Sequence, residues 1–167
     1  VTLPDISKQF KFTNGYIGAS FFKRGEGDLG IPGQVLTHRD IYAQRLMSSG
    51  TGEHAGHLIG IQFGAPGGLE NLGLQNPNMN TFAPKALQEA FVGPGGNYHD
   101  LESRWADLLR LGHRIHVTVT DKYRSSENRP YTRSVQYEIT APSGAPQRLA
   151  IEFVNFSSPQ SRAKSGK

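Results

Sequence analysis

Ile115-His116-Val117-Thr118-Val119-Thr120 is the stretch that decides the fold class. Its apolar side chains fall at every second position, the period of a strand with one buried face. Two later runs repeat the pattern. Val135, Tyr137 and Ile139 alternate with Gln136 and Glu138, and Leu149, Ile151 and Phe153 alternate with Ala150 and Glu152. One buried face per strand implies an antiparallel sheet covered on one side. A cover lies just ahead in sequence: Leu101, Trp105, Leu108 and Leu109 follow the 3.6-residue period and predict a helix from about His99 to Leu111. Asp100 and Glu102 occupy its first turn, and Gly112 is placed as its stop. Strands, a helical insert and more strands make an α+β architecture.

Upstream, Phe12 to Phe22 reads as strand, turn and strand, with Asn14-Gly15 as the turn signal. Lys23 to Gly33 reads as a Gly-rich loop, Gln34 to Met47 as a strand start becoming a short helix, and Ser48 to Glu53 as a loop. His57 to Phe63 reads as a short buried strand and Gly64 to Gly68 as a tight turn. A polar Asn71–Asn80 loop leads into a helical segment over Ala83 to Phe91, broken by Gly93-Pro94-Gly95-Gly96. The first ten residues have no period and read as a tether. The last, 157–167, have the composition of a disordered basic tail.

The 167 residues suit a single domain spanning 1–167. Hydrophobic residues are 36% and charged residues 19%, with Gly 20 and Pro 10, which favours short elements and many turns over a helical bundle. No apolar run reaches the ~20 residues that span a bilayer, so no membrane partner is expected. The opening residues carry no basic-then-apolar run, so no signal peptide is expected in them. Cysteine is absent, which excludes disulfides and thiolate metal sites. The net charge of +4 is unevenly placed: residues 1–102 hold 7 Lys+Arg and 9 Asp+Glu, whereas 103–167 hold 11 and 5. A basic second half points to a polyanion such as nucleic acid. Arg104, Arg110, Arg114, Lys122, Arg124 and Arg133 are the candidates to follow a phosphate backbone.

Chemistry centres on Glu53-His54-Ala55-Gly56-His57-Leu58-Ile59-Gly60. His54 and His57 are three apart, the spacing of two zinc ligands on a helix, but Gly52 and Gly56 argue against a helix and so against zinc. His57 opens an apolar strand and is either a structural histidine or a proton acceptor. Asn71, Gln75 and Asn80 lie in a loop where Asn commonly only caps turns.

The order of these pieces carries more information than any one of them. A Gly-His strand, a glycine turn, an Asn-x-x-x-Gln-x-x-x-x-Asn loop, a Leu-Glu helix with Trp three residues on, and a basic strand pair occur here as AGHLIGIQFGAPGGLENLGLQN, MN, LESRW and GHRIHVTVTDKYRSSENRPYTRSVQYEI. From Glu53 to Thr140 the chain resembles the DNA/RNA non-specific endonucleases with a ββα-metal (His-Me finger) active site. It is most similar to the branch found as C-terminal domains of bacterial polymorphic toxins.

The resemblance implies a metal-dependent endonuclease, with His57 as general base, Asn80 as the ligand of a divalent ion (Mg2+ or Mn2+), and Glu102 holding waters of its shell. Glu89 is the alternative carboxylate, because the gap from Asn80 to Glu102 is long. Asn71 and Gln75 match the offsets ahead of Asn80 and would lie at the substrate or steady the loop, and Asn71 is a candidate to orient the His57 ring. Arg129, in Arg129-Pro130, would bind the phosphate, with Arg104 as a further contact. Trp105 is expected in the core. The family often has Asp-Arg ahead of its Gly-His; here those positions are His54 and Ala55, so an arginine that could touch phosphate is missing. Also implied are a DNA or RNA substrate, delivery into a target cell as part of a larger effector, action in that cell's cytoplasm, and a cognate immunity protein. The competing readings are a non-catalytic nucleic-acid-binding module using aromatics such as Tyr98, Tyr123 and Tyr131, a metal-independent ribonuclease, and an interaction scaffold.

Overall fold

The computed structural model describes residues 2–77, 97–125 and 127–155. Within them the backbone is a five-stranded antiparallel sheet in the order β1 (Lys11–Ile17), β2 (Ser20–Asp28), β5 (Arg114–Tyr123), β6 (Pro130–Thr140) and β7 (Gln147–Val154), with a separate two-stranded hairpin of β3 (His54–His57) and β4 (Leu72–Gln75). The three late strands form where the alternation places them, as β5 (Arg114–Tyr123), β6 (Pro130–Thr140) and β7 (Gln147–Val154). β5 and β6 pair with Val117 opposite Tyr137 and Val119 opposite Val135, and the register slips between Lys122 and Tyr123. The inward row of Ile115, Val117, Val119, Val135 and Phe153 is buried against the helix face of Leu101, Trp105 and Leu109.

That helix, here α2, runs Tyr98–Arg110. Its start is fixed by a reciprocal cap: Asn97 Oδ1 accepts from the Asp100 N–H at 2.9 Å, and Asp100 Oδ2 accepts from the Asn97 N–H at 3.0 Å. Gly112 follows its end in the left-handed region, at φ 94°. Trp105 is 1% exposed and packs edge-on against Tyr98, Phe63 and Tyr137, the core position expected of it.

The first hairpin forms, but its turn is not at Asn14-Gly15. β1 (Lys11–Ile17) and β2 (Ser20–Asp28) turn at Gly18, whose φ is 62°, while Asn14 and Gly15 pair in the ladder with Lys23 and Phe22. Two of the glycines expected to make a loop, Gly25 and Gly27, belong instead to β2. A Cβ on Gly25 or Gly27 would stand 2.6 Å from the ring of Phe12 or Phe10, so these positions are bare to seat aromatic rings against the sheet. Residues 4–10, expected as a tether, are fastened down. The Leu36 N–H donates to Pro4 O at 2.8 Å, His38 meets Asp5 at 2.9 Å, and Phe10 is buried in the core. No strand forms over 34–36; the helix of that segment, α1, is Ile41–Ser48, capped by Asp40 on the Ala43 N–H.

β3 is His54–His57 and β4 is Leu72–Gln75, paired with Gly56 opposite Gly73 and His57 opposite Leu72. The strand expected over His57 to Phe63 therefore ends at its first residue. A 3-10 turn over Ile61–Phe63 replaces it and closes at Gly64, with φ 93°. One face of the hairpin packs on α1 through Ala55, Leu72, Ala43 and Met47. The other lies on the large sheet so closely that a Cβ on Gly73 would fall 2.2 Å from Asp121 Oδ2. No helix among the described residues is long and apolar enough to cross a membrane. Asn80, Glu89, the helix expected over 83–91 and the 157–167 tail lie outside the described residues.

Candidate active site

His57 ends β3, on the same side of the strand as Ala55 and so toward α1. The glycine before it is dictated by packing. A Cβ on Gly56 would stand 2.4 Å from the Gln75 carboxamide, which is fully buried across the hairpin. His57 Nε2 is buried, with no hydrogen-bond partner among the described residues. Burial pushes the imidazole pKa down to about 4, and the positive charges of Arg39 and Arg133 act in the same direction. The ring is therefore neutral at pH 7, with an unshared nitrogen held out of bulk water.

The four residues from His57 to Gly60 are gripped one after another by side chains of other elements. Arg133 Nη1 on β6 donates to His57 O at 3.0 Å, and the Tyr98 hydroxyl on α2 donates to Leu58 O. Asn71 Oδ1 accepts from the Ile59 N–H at 3.0 Å, and its Nδ2 donates to Ile59 O at 2.8 Å. Glu102 Oε2 on α2 accepts from the Gly60 N–H at 3.0 Å. Three extended residues span at most about 11 Å, so the last contact brings Glu102 into the neighbourhood of His57. Burial raises the Glu102 pKa to about 8, against the opposing pull of Arg133 and the Gly60 N–H.

The remaining expected site residues take different places. Asn71 is fully buried and its amide is spent on Ile59 and on Pro66 O at 2.7 Å, so it pins the loop and does not orient the His57 ring. Gln75 is likewise fully buried, where its carboxamide packs against Gly56. Arg129, expected on the phosphate, is committed elsewhere: Nε lies 3.1 Å from Glu53 Oε1, Nη2 donates to Oε2 at 3.3 Å, and Nη1 donates to Asn155 O at 2.7 Å. Glu53 is buried, so that pair ties β3 to the start of β6. Arg104 is exposed on α2. Among the cations expected along a phosphate backbone, Arg133 is 1% exposed and locked to Asp121, so it cannot follow one. Tyr98 and Tyr123, the stacking aromatics of a plain binding module, are buried in the core.

Arg39 is a cation that the sequence did not single out. It is exposed just ahead of α1, and its Nη1 donates to Gln44 Oε1 at 3.3 Å. Gln44 Nε2 in turn donates to Ala55 O at 3.2 Å, two residues before His57. The chain thus has an arginine whose charge acts on the histidine, supplied from the segment ahead of α1 and not from the residue before Gly-His. Among the described residues no three His, Asp or Glu side chains gather as a metal cage. The fit for a divalent ion rests on Glu102: a half-buried hard oxygen donor, with no ion-pair partner among the described residues, is the group a cation would relieve.

A search among curated proteins finds no match. Among solved structures, the chain is similar to an extracellular endonuclease at 18% identity and a TM-score of 0.56, covering 94% of this chain and 84% of that one. It is also similar to an extracellular nuclease at 20% identity and a TM-score of 0.53, covering 94% of this chain and 90% of that one. These likenesses establish the fold, α+β of the ββα-metal nuclease type. The family model described as DNA/RNA non-specific endonuclease matches residues 39–141, from Arg39 past the end of β6. The chain belongs to the DNA/RNA non-specific endonuclease family.

Proposed function

We propose that the protein is a metal-dependent endonuclease that hydrolyses phosphodiester bonds of DNA, RNA or both, with His57 as general base. The observation that carries this reading is the buried Nε2 of a neutral His57, without a hydrogen-bond partner among the described residues, with the charge of Arg39 acting on it and Glu102 hydrogen-bonded three residues on.

A phosphodiester resists attack because its charge repels nucleophiles, so catalysis needs an activated water and positive charge at the phosphate. Water adds to phosphorus, its proton passes to His57 Nε2, and the bond to the leaving oxygen breaks. Arg39 is the cation we place on the non-bridging oxygens. The free imidazole is a weak base at a pKa of about 4. The negative charge of a bound phosphate favours the imidazolium and raises that pKa, so substrate itself strengthens the base. A divalent ion, Mg2+ or Mn2+, held by the Asn80 amide oxygen and the Glu102 carboxylate would supply Lewis acidity at the leaving oxygen. Arg129 has a structural role in this scheme, holding Glu53 and Asn155 O.

The two similar structures are named as extracellular nucleases, which supports secretion of this chain from the cell that makes it. The sequence resemblance to polymorphic-toxin domains supports a toxin of a bacterial effector, acting in the target-cell cytoplasm and neutralised by an immunity protein that is acidic where it meets the basic half.

Digestion of plasmid DNA and of RNA tests the reading. Wild type with Mg2+ cleaves, EDTA stops it, and His57→Ala lowers turnover by about 10²–10⁴-fold while staying folded. Undiminished cleavage in EDTA would turn the reading to a metal-independent ribonuclease, and an intact substrate with salt-sensitive binding would turn it to a binding module.

A further inference from the structure

Asp121 and Arg133 face each other directly in the β5–β6 ladder, both on the inward side. Arg133 Nε donates to Asp121 Oδ1 at 2.7 Å and Nη2 to Oδ2 at 2.8 Å, with the two residues 1% and 0% exposed. The guanidinium also lies over the Tyr98 ring at 5.0 Å. Such a buried pair adds little stability over well-packed apolar residues, because both charges lose their water. Stability therefore does not explain it. Two features tie it to the other sheet. Arg133 sends Nη1 across to His57 O at 3.0 Å, and Gly73 on β4 is bare where any side chain would strike Asp121 Oδ2. The small hairpin is carved to sit on this pair.

We propose that Arg133, locked by Asp121, is a positioning residue for the reaction: it fixes the His57 main chain so that the ring meets the attacking water in register. This rests on the reading of His57 as base. The fork makes the grip directional. Two arms are clamped by Asp121, so the third can point only along one line, and that line ends on the carbonyl of the candidate base. A misplacement of about 1 Å at a reacting group costs on the order of 10²-fold in rate. The same charge acts with Arg39 to keep the ring neutral; the other charged groups around this segment are Lys23 on β2, whose Nζ donates to Leu72 O opposite His57 at 2.8 Å, Asp121 on β5 and Glu102 on α2.

Two variants of the full chain separate position from folding. Arg133→Gln with Asp121→Asn replaces the ion pair by a neutral amide pair that keeps a hydrogen bond. Arg133→Lys keeps the charge and loses the fork. The double variant is expected to lower kcat about 10–100-fold on plasmid DNA with KM within about threefold. It should also move the His57 ring titration, followed by NMR, upward from about 4, with burial and Arg39 still holding it below the ordinary 6.5. Arg133→Lys is expected to keep the low titration without restoring kcat. A folded double variant with wild-type kcat and an unmoved titration overturns the proposal, as does Arg133→Lys at wild-type kcat should the double variant not fold. If wild type cleaves no nucleic acid, the nuclease reading fails by itself, and the His57 titration in these variants still decides whether Arg133 acts on the ring.

Discussion

Glu102 Oε2 accepts a hydrogen bond from the Gly60 N–H at 3.0 Å, which joins the first turns of α2 to the segment that begins at His57. Gly60 leaves the approach open: a Cβ there would stand 2.6 Å from that same oxygen. The carboxylate is held in a place where ionisation is unfavourable, and its pKa rises to about 8.

Function and stability oppose each other at this residue. A carboxyl with a folded pKa above its unfolded 4.5 binds more protons in the folded state between the two values. Its stabilising contribution is whole below pH 4.5 and is lost as pH rises through about 8. Glu102→Gln removes the cost of ionisation there. In EDTA the variant should melt at least as high as wild type at pH 7 and clearly higher at pH 9, while its Mg2+-dependent activity falls about 10–100-fold. Thermal unfolding at both pH values beside a Mg2+ titration of cleavage reads both. A variant less stable at pH 9 than wild type would remove the buried-carboxylate account.

His57 has the opposite sign. Its folded pKa of about 4 lies below the ordinary 6.5, so the unfolded chain takes up the proton first. Stability from this group is whole above pH 6.5 and is lost as pH falls toward 4. Kinetics should show the same depression. The acid limb of kcat/KM, which reports the free enzyme, is expected well below pH 6.5. The acid limb of kcat, which reports the complex, is expected higher, because bound phosphate stabilises the imidazolium. A kcat/KM limb at or above 6.5 would mean that the ring is not enclosed as described.

Gly56→Ala should show why a glycine precedes this histidine. The added methyl would meet the Gln75 carboxamide at 2.4 Å, and Gln75, fully buried, has little room to retreat. Overpacking of this kind costs about 1–3 kcal/mol, and the displaced strand carries His57 with it. Gln75→Ala alone leaves a hole. The double variant fills part of that hole with the new methyl, so its loss should be smaller than the sum of the two single losses. Urea unfolding of the four proteins in the cycle measures this, and strict additivity would mean that the two side chains do not compete for one space.

The sheet was legible because period 2 survives in β5, β6 and β7, and α2 because its apolar stripe coincides with its cap and stop residues. β2 was obscured: its glycines look like a loop locally, and the Phe10 and Phe12 rings that require them lie on the neighbouring segment. His57 and Glu102 were reached through ordered motifs, not through pattern. Arg133 and Asp121 were legible in part, since each sits on the inward parity of its strand with Val135 and Val119. Parity marks such a charge as buried, yet the partner emerges only when two residues 12 apart in sequence are paired in register across neighbouring strands. Asn71 misled for a related reason: its spacing from Asn80 says nothing of the backbone groups of Ile59 and Pro66 that consume its amide.

Arg39 and Arg129 make the sharpest contrast, since charge alone would treat them alike. Arg39 is exposed, and its described contact is a single hydrogen bond to Gln44. Arg39→Ala should leave the melting temperature within a degree or so of wild type, because surface changes away from buried features cost little. It should nonetheless lower kcat/KM by about 10–100-fold through the lost phosphate contact and flatten the salt dependence of binding. Arg129→Ala removes an ion-pair partner from the buried Glu53 carboxylate and a donor from Asn155 O. Breaking a buried pair from one side costs about 3–5 kcal/mol, so this variant should lose stability first and activity only in step with its folded fraction. Melting curves and initial rates on one duplex substrate, at two salt concentrations, separate the two. If Arg129→Ala kept its stability and lost kcat/KM while Arg39→Ala did the reverse, the phosphate would belong to Arg129 and the assignment of the two cations would have to be exchanged.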